Sequence, residues 1–221
     1  MTFTVLARDP RSGLIGAATA SKSLAAGNVV LAIRPQVGAV ATQAWTNGAL
    51  RPLLLDELGA GRTAAEAVAR VPEWDAQPEL RQVAALPVSG APAAWTGAEN
   101  TAWAGHAVAA DAVVAGNLLT GQAVLDAMLA VTERMPAVDD TVIAPALFAR
   151  RLVTVLAAGE AEGGDARGRQ SAAVLVAIPG EDAAVRVDLR VDDHPDPLAE
   201  LSRLIDLRAA DLLEGVSARK A

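Results

Sequence analysis

The chain has 221 residues, carries a net charge of −7 and contains no cysteine. That length is enough to bury a substantial core in one domain over residues 1–221. The acidic balance excludes a general nucleic-acid binder, and the missing thiols exclude disulfides, thiolate zinc sites and a cysteine nucleophile. The N-terminus lacks a basic region followed by a long apolar run, and no window reaches the roughly 18 apolar residues of a membrane span. A soluble cytoplasmic protein with no membrane partner is therefore expected.

Residues 2–9 alternate, with Phe3, Val5 and Ala7 on one side and Thr4, Leu6 and Arg8 on the other. Asp9-Pro10-Arg11-Ser12-Gly13 is a turn signal and an apolar run follows, so residues 2–20 read as a β-hairpin. Val29–Ile33 and Val37–Ala44 are two further strand candidates. Gly59-Ala60-Gly61 terminates a helix rather than forming a dinucleotide fingerprint. Ala64, Ala67, Val68 and Val71 then recur at helical spacing behind Thr63, a suitable cap. Residues 82–88, 91–95 and 106–115 return to short apolar runs.

Two helical stripes follow, Val124-Ala127-Met128-Val131 and Phe148-Leu152-Val155-Leu156, and then strands at 172–178 and 184–191. In the last strand Val185, Val187, Leu189 and Val191 define a buried face. Asp196-Pro197 caps a closing helix over about 197–214. Blocks of strands and helices without βαβ alternation indicate an α+β fold with antiparallel sheets covered by helices.

Between the second helical stripe and the strand at 172 lies Gly163-Gly164-Asp165-Ala166-Arg167-Gly168-Arg169-Gln170-Ser171. It places charge and hydrogen-bonding groups at the mouth of a buried strand, where a rigid scaffold can aim them. Folding alone rarely asks for so many polar groups there. Asp165, Arg167, Arg169, Gln170 and Ser171 are accordingly candidate site residues.

The chain has no G-x-S-x-G elbow, no P-loop and no H-E-x-x-H. His106 and His194 are its only histidines. Asp192-Asp193-His194 could hold a hard cation, but a turn followed by a helix cap explains the segment better. No metal and no cofactor are expected. Lys22 and Lys220 are the only lysines, and Lys22 ends a strand; its bland reading is a solvated strand end. Asn117 is either a turn-former or an oxyanion-type donor. Thr2 offers more. Once an initiator methionine is removed, its hydroxyl is a nucleophile and its α-amine, with a reference pKa of about 7.7–8.0, is a general base.

Five segments together resemble one bacterial family: Met1–Pro10, Gly38–Gln43, Gly116–Leu119, Ala161–Ala172 and Asp188–Pro195. The family is domain of unknown function 1028, which belongs with the N-terminal-nucleophile (Ntn) hydrolases, and the resemblance runs from residue 1 to about 205. It implies a four-layer αββα sandwich with two stacked antiparallel sheets. It also implies Thr2 as the nucleophile at the start of the first strand, with Ser21 and Lys22 brought beside it by the second.

The expected activity is hydrolysis of a small amide or peptide-like metabolite. Thr2, Lys22, Asn117 and Asp165 are the catalytic candidates. Ser21, Arg167, Arg169, Gln170, Ser171 and His106 are the substrate-binding candidates, with Arg167 or Arg169 clamping a substrate carboxylate. The alternatives are a non-catalytic metabolite-binding or assembly protein on the same fold and, last, a metal-dependent hydrolase using Asp192, Asp193 and His194. A homodimer or higher homo-oligomer is expected only because symmetric homo-oligomers are common among soluble proteins.

Overall fold

A computed structural model describes residues 2–139, 141–180 and 183–218. The state of Met1, on which the chemistry expected of Thr2 turns, lies outside the described residues, as does Lys220. The expected hairpin is present as β1 (Thr2–Arg8) and β2 (Ile15–Ser21), paired antiparallel. Asp9 closes its turn, accepting the backbone N–H groups of Arg11, Ser12 and Val138. Burial pushes the Asp9 carboxyl up, but these donors and the Ser12 hydroxyl outweigh it and leave its pKa lowered.

The segment 29–33 differs from the single strand expected. It divides into α1 (Ala26–Val30) and β3 (Leu31–Arg34). The reason is a tertiary contact: Ser171 Oγ accepts the N–H of Ala26 at 3.2 Å and donates to the carbonyl of Ser23 at 2.7 Å. That side chain from a distant strand fixes a helical turn where β-branched residues alone favour extension.

Next come β4 (Gly38–Ala44), α2 (Leu50–Gly59), α3 (Ala64–Ala69) and α4 (Val71–Trp74). Thr63 and Glu66 form a reciprocal capping box at the start of α3, and Gly61 takes the left-handed backbone past the end of α2. The strands β5 (Arg81–Pro87), β6 (Ala93–Thr96), β7 (Gly105–Val108) and β8 (Ala112–Asn117) follow. The apolar run at 106–115 is thus two strands joined by a turn. The chain ends with α5 (Ala123–Arg134), α6 (Ala144–Ala161), β9 (Ser171–Ile178), β10 (Ala184–Val191) and α7 (Pro197–Ala218). Asp196 caps α7 as expected, its Oδ1 accepting the N–H of Ala199.

Among the described residues the strands form two antiparallel sheets, one of six in the order β10-β9-β2-β1-β8-β7 and one of four in the order β3-β4-β5-β6. Strand β10 departs from simple alternation. Its register with β9 shifts between Val185 and Val187, which turns Val185 out to solvent at 43% exposure while Val187 and Val191 stay buried.

Among the described residues the apolar side chains gather in three clusters. Phe3, Val5, Val114 and Val174 of the larger sheet pack against Met128, Phe148, Leu152 and Leu201 of α5, α6 and α7. Leu6, Ile15 and Val113 meet Ala39, Ala84 and Leu86 of the smaller sheet. Val40 and Val83 meet Leu50, Leu54, Ala64 and Ala67 of α2 and α3. Odd residues of β1 therefore face helices, and its even residues face the other sheet.

Candidate functional site

At one edge of the two sheets the apolar contact gives way to polar side chains. In the larger sheet Asn117 pairs with Thr2, Phe3 pairs with Ala20 just inside the Thr2–Ser21 end, and Ser21 pairs with Ser171. Asn117, Thr2, Ser21 and Ser171 thus form a row across β8, β1, β2 and β9, and all four are buried. In the smaller sheet Gln43 pairs with Gln82 and Gln82 with Thr96. These residues continue the faces of Ala39 and Ala41 on β4 and of Ala84 and Leu86 on β5, which meet the larger sheet.

The two rows are stitched together. Gln82 Nε2 lies 2.9 Å from the carbonyls of Gly105 and Gly116 and from Thr96 Oγ1. Gln82 Oε1 accepts Gln43 Nε2 at 2.7 Å and Asn117 Nδ2 at 3.0 Å. Those two nitrogens also reach the carbonyl of Thr2, at 3.4 and 3.5 Å. Thr4 donates to Gln43 Oε1 at 2.6 Å and meets Thr19 at 2.8 Å. A buried amide without a partner costs roughly 1–3 kcal/mol; here Gln43 and Gln82 each use both their oxygen and their nitrogen.

Thr2 Oγ1 donates to Ser21 Oγ at 3.2 Å. Beyond Ser21 the chain is pinned by Asp165, whose side chain is 1% exposed. Asp165 Oδ2 accepts the backbone N–H of Lys22 at 2.7 Å, and Oδ1 accepts that of Arg167 at 2.9 Å. The structure therefore joins Thr2, Ser21, Lys22, Asn117, Asp165 and Ser171 at one edge. Lys22 is held by its backbone and its side chain is exposed.

The remaining candidates sit further out. Arg167 pairs with Asp165 at 3.1 Å and Arg169 with Glu160 at 3.2 Å, so both guanidinium groups already meet carboxylates. Gln170 donates to Asp193 Oδ1 and its carbonyl takes the N–H of His194. Asp192 pairs with Arg190, and His194 Nδ1 takes the N–H of Asp196. That segment is a turn and a helix cap, and among the described residues no three metal-ligating side chains come together.

His106 stands two strands from β1. Its Nδ1 lies 2.8 Å from Thr96 Oγ1. Thr96 Oγ1 thereby joins the ring nitrogen to Gln82 Nε2, and the His106 tautomer sets which atom donates between Thr96 and the ring. Partial burial holds the His106 pKa below its ordinary value.

A cleft of about 190 Å³ lies against the site on the helical side, lined by Phe3, Ala20, Ser21, Glu160, Asp165 and Arg169 among others. Burial pushes the Glu160 carboxyl up, more than Arg169 pulls it down. A cavity of about 320 Å³ opens at the far end of β1, where Arg8 and Arg151 face Asp111 and Asp9.

Backbone strain marks the same edge. Among the described residues, the non-glycine residues with left-handed backbone are Ala25 (φ 51), Ala44 (φ 72) and Leu118 (φ 53). Ala44 ends β4, while Ala25 and Leu118 follow β2 and β8. Such conformations cost about 1–3 kcal/mol and persist where the surroundings over-determine them. Here the N–H of Ala25 bonds to Asp192 and that of Leu118 to Thr101, while Arg81 holds the carbonyl of Trp45.

Gln43, Gln82 and Thr96 join the site although none of them is among the candidates expected from residue type. A signal existed: in β4 and β5 each glutamine falls in phase with apolar residues of the buried face, where an unpaired amide is costly.

The chain matches the family of unknown function DUF1028 over residues 2–201, and it belongs to that family. It is also similar to a solved structure, protein SPO2555 from Silicibacter pomeroyi, with 35% identity and a TM-score of 0.79. That likeness covers 93% of this chain and 88% of the other. Among curated proteins none matches.

Proposed function

We propose that this protein is an N-terminal-nucleophile amidohydrolase acting on a small amide or peptide-like metabolite. The three hydrophobic clusters follow one another as helices on sheet, sheet on sheet and sheet on helices, an order that supports the four-layer αββα sandwich of that superfamily. The observation that carries the reading is the buried hydroxyl of Thr2, first residue of a central strand, bonded to Ser21 in a row of polar side chains. With its amine freed, Thr2 attacks the carbonyl, the amine takes the hydroxyl proton and then delivers it to the leaving nitrogen. Water repeats the sequence on the acyl-enzyme. The oxyanion falls to backbone N–H groups, because Asn117 Nδ2 directs its two hydrogens at Gln82 Oε1 and the Thr2 carbonyl.

A β-lactone probe tests this. Processed protein should form one covalent ester at Thr2, and Thr2→Ala should form none. Equal labelling of both proteins overturns the assignment.

One observation favours the alternative of a non-catalytic metabolite-binding or assembly protein. Asp165 and Ser171 spend their hydrogen bonds on holding turns, as a scaffold requires. Intact mass separates the two: Met1 retained on essentially all molecules from a native source supports the non-catalytic reading.

A further inference from the structure

We propose that Gln82 is a positioning residue for Thr2, aiming the side-chain amides of Gln43 and Asn117 at the Thr2 carbonyl and so fixing the direction of its amine. The inference rests on the N-terminal-nucleophile reading and adds to it a residue that acts on Thr2 only through its neighbours.

The orientation of the Gln82 amide is forced. Two of the three oxygens 2.9 Å from Nε2 are main-chain carbonyls, which only accept. The nitrogen must face them, and Oε1 must face the other way. There it takes one hydrogen from Gln43 at 2.7 Å and one from Asn117 at 3.0 Å. Gln43 is fixed a second time, because its own Oε1 accepts from Thr4. Both amide nitrogens are thereby presented to the Thr2 carbonyl, at 3.4 and 3.5 Å. Gln82 itself is 0% exposed.

Such a device answers a specific problem. A nucleophile that begins its chain has no preceding peptide bond to anchor it, and terminal residues fray unless tied down. In Thr2 the carbonyl is held by Gln43 and Asn117, and the hydroxyl by Ser21. The Cα has fixed chirality, so holding its carbonyl and its side chain leaves the nitrogen one place. The amine then stands ready to take the hydroxyl proton, the kind of preorganisation that decides rate.

Gln82→Glu and Gln82→Met test the role in the full-length protein, with removal of Met1 verified by mass. The readout is β-lactone labelling at Thr2 relative to wild type at each pH, resolved into maximal rate and half-saturating probe concentration. The ionised carboxylate of Gln82→Glu keeps the acceptor for Gln43 and Asn117 but brings no hydrogen to the three oxygens; the protonated acid restores one donor. The maximal rate of Gln82→Glu should fall about tenfold at pH 8 and recover to within about threefold of wild type near pH 5.5. Gln82→Met should be slow at every pH, and half-saturation should stay the same in both.

Folding is checked in each sample by near-ultraviolet circular dichroism. If neither variant folds, Gln43→Leu removes one of the two donors while leaving Gln82 its bond to Asn117, and the same fall in maximal rate is expected. Folded variants that label at the wild-type rate at all pH values overturn the role of Gln82 and leave the nucleophile standing. Wild type that never labels at Thr2 overturns both.

Discussion

Thr2 and Ser21 meet hydroxyl to hydroxyl, Oγ1 to Oγ at 3.2 Å, at the adjoining ends of the first two strands. Ser21→Ala removes the acceptor and leaves the buried Thr2 hydroxyl to find another. Labelling at Thr2 should slow about tenfold, while stability falls by about 1–3 kcal/mol, the cost of leaving a buried hydroxyl without its acceptor. Labelling kinetics beside a urea titration check this, and a wild-type rate in Ser21→Ala removes the contact from the site.

Asp165 secures the same edge from behind. Its buried carboxylate takes two backbone N–H groups and the Arg167 guanidinium. Asp165→Ala strands both N–H donors and should cost about 2–4 kcal/mol in a urea titration. Asp165→Asn retains one acceptor and should cost less. Because Asp165 holds Lys22 and not Thr2, Asp165→Ala protein that remains folded should still be labelled at Thr2, more slowly.

The ammonium of Lys22 is one residue from Ser21. A cation near the Thr2 amine lowers the pKa of that amine, so Lys22→Gln should move the pH midpoint of labelling upward, by about 0.3 unit for an exposed charge. A full pH–rate profile of both proteins measures the shift. An unchanged midpoint leaves Lys22 as a solvated strand end.

Much of the fold was legible in the sequence because its elements are locally consistent. The alternation in residues 2–20, the Thr63 cap and the stripe in α6 each specify one structure. The expectation failed at α1 and at Val185, where a distant serine and a β-bulge decide the outcome, and neither leaves a local trace. Thr2, Lys22, Asn117 and the 163–171 loop were singled out from residue type and context, and β pairing brings most of them to one edge. Gln43 and Gln82 fall in phase with the buried faces of their strands, which marks them as polar groups needing partners, but only the facing sheet shows that those partners are Thr2, Thr4 and Asn117. The carboxylate clamp expected of Arg167 or Arg169 rests on charge alone; in the fold Arg167 meets Asp165 and Arg169 meets Glu160.

Asp75 shapes the loop that leaves β4. Arg81 and Asn47 hydrogen-bond its carboxylate and hold its pKa at about 2, against an ordinary value of 3.8. Since the folded pKa is depressed, this stabilisation is complete above about pH 5 and is lost as pH falls through 3.8 toward 2. Urea midpoints measured from pH 5 to pH 2 should fall more steeply for wild type than for Asp75→Asn. Parallel curves contradict the assignment.

The most direct measurement is intact mass and peptide mapping of the natively processed protein after exposure to a β-lactone. An active N-terminal nucleophile predicts Met1 absent and a single adduct on Thr2, with none on Thr2→Ala. Met1 retained on essentially every molecule, or an adduct formed equally on Thr2→Ala, contradicts it.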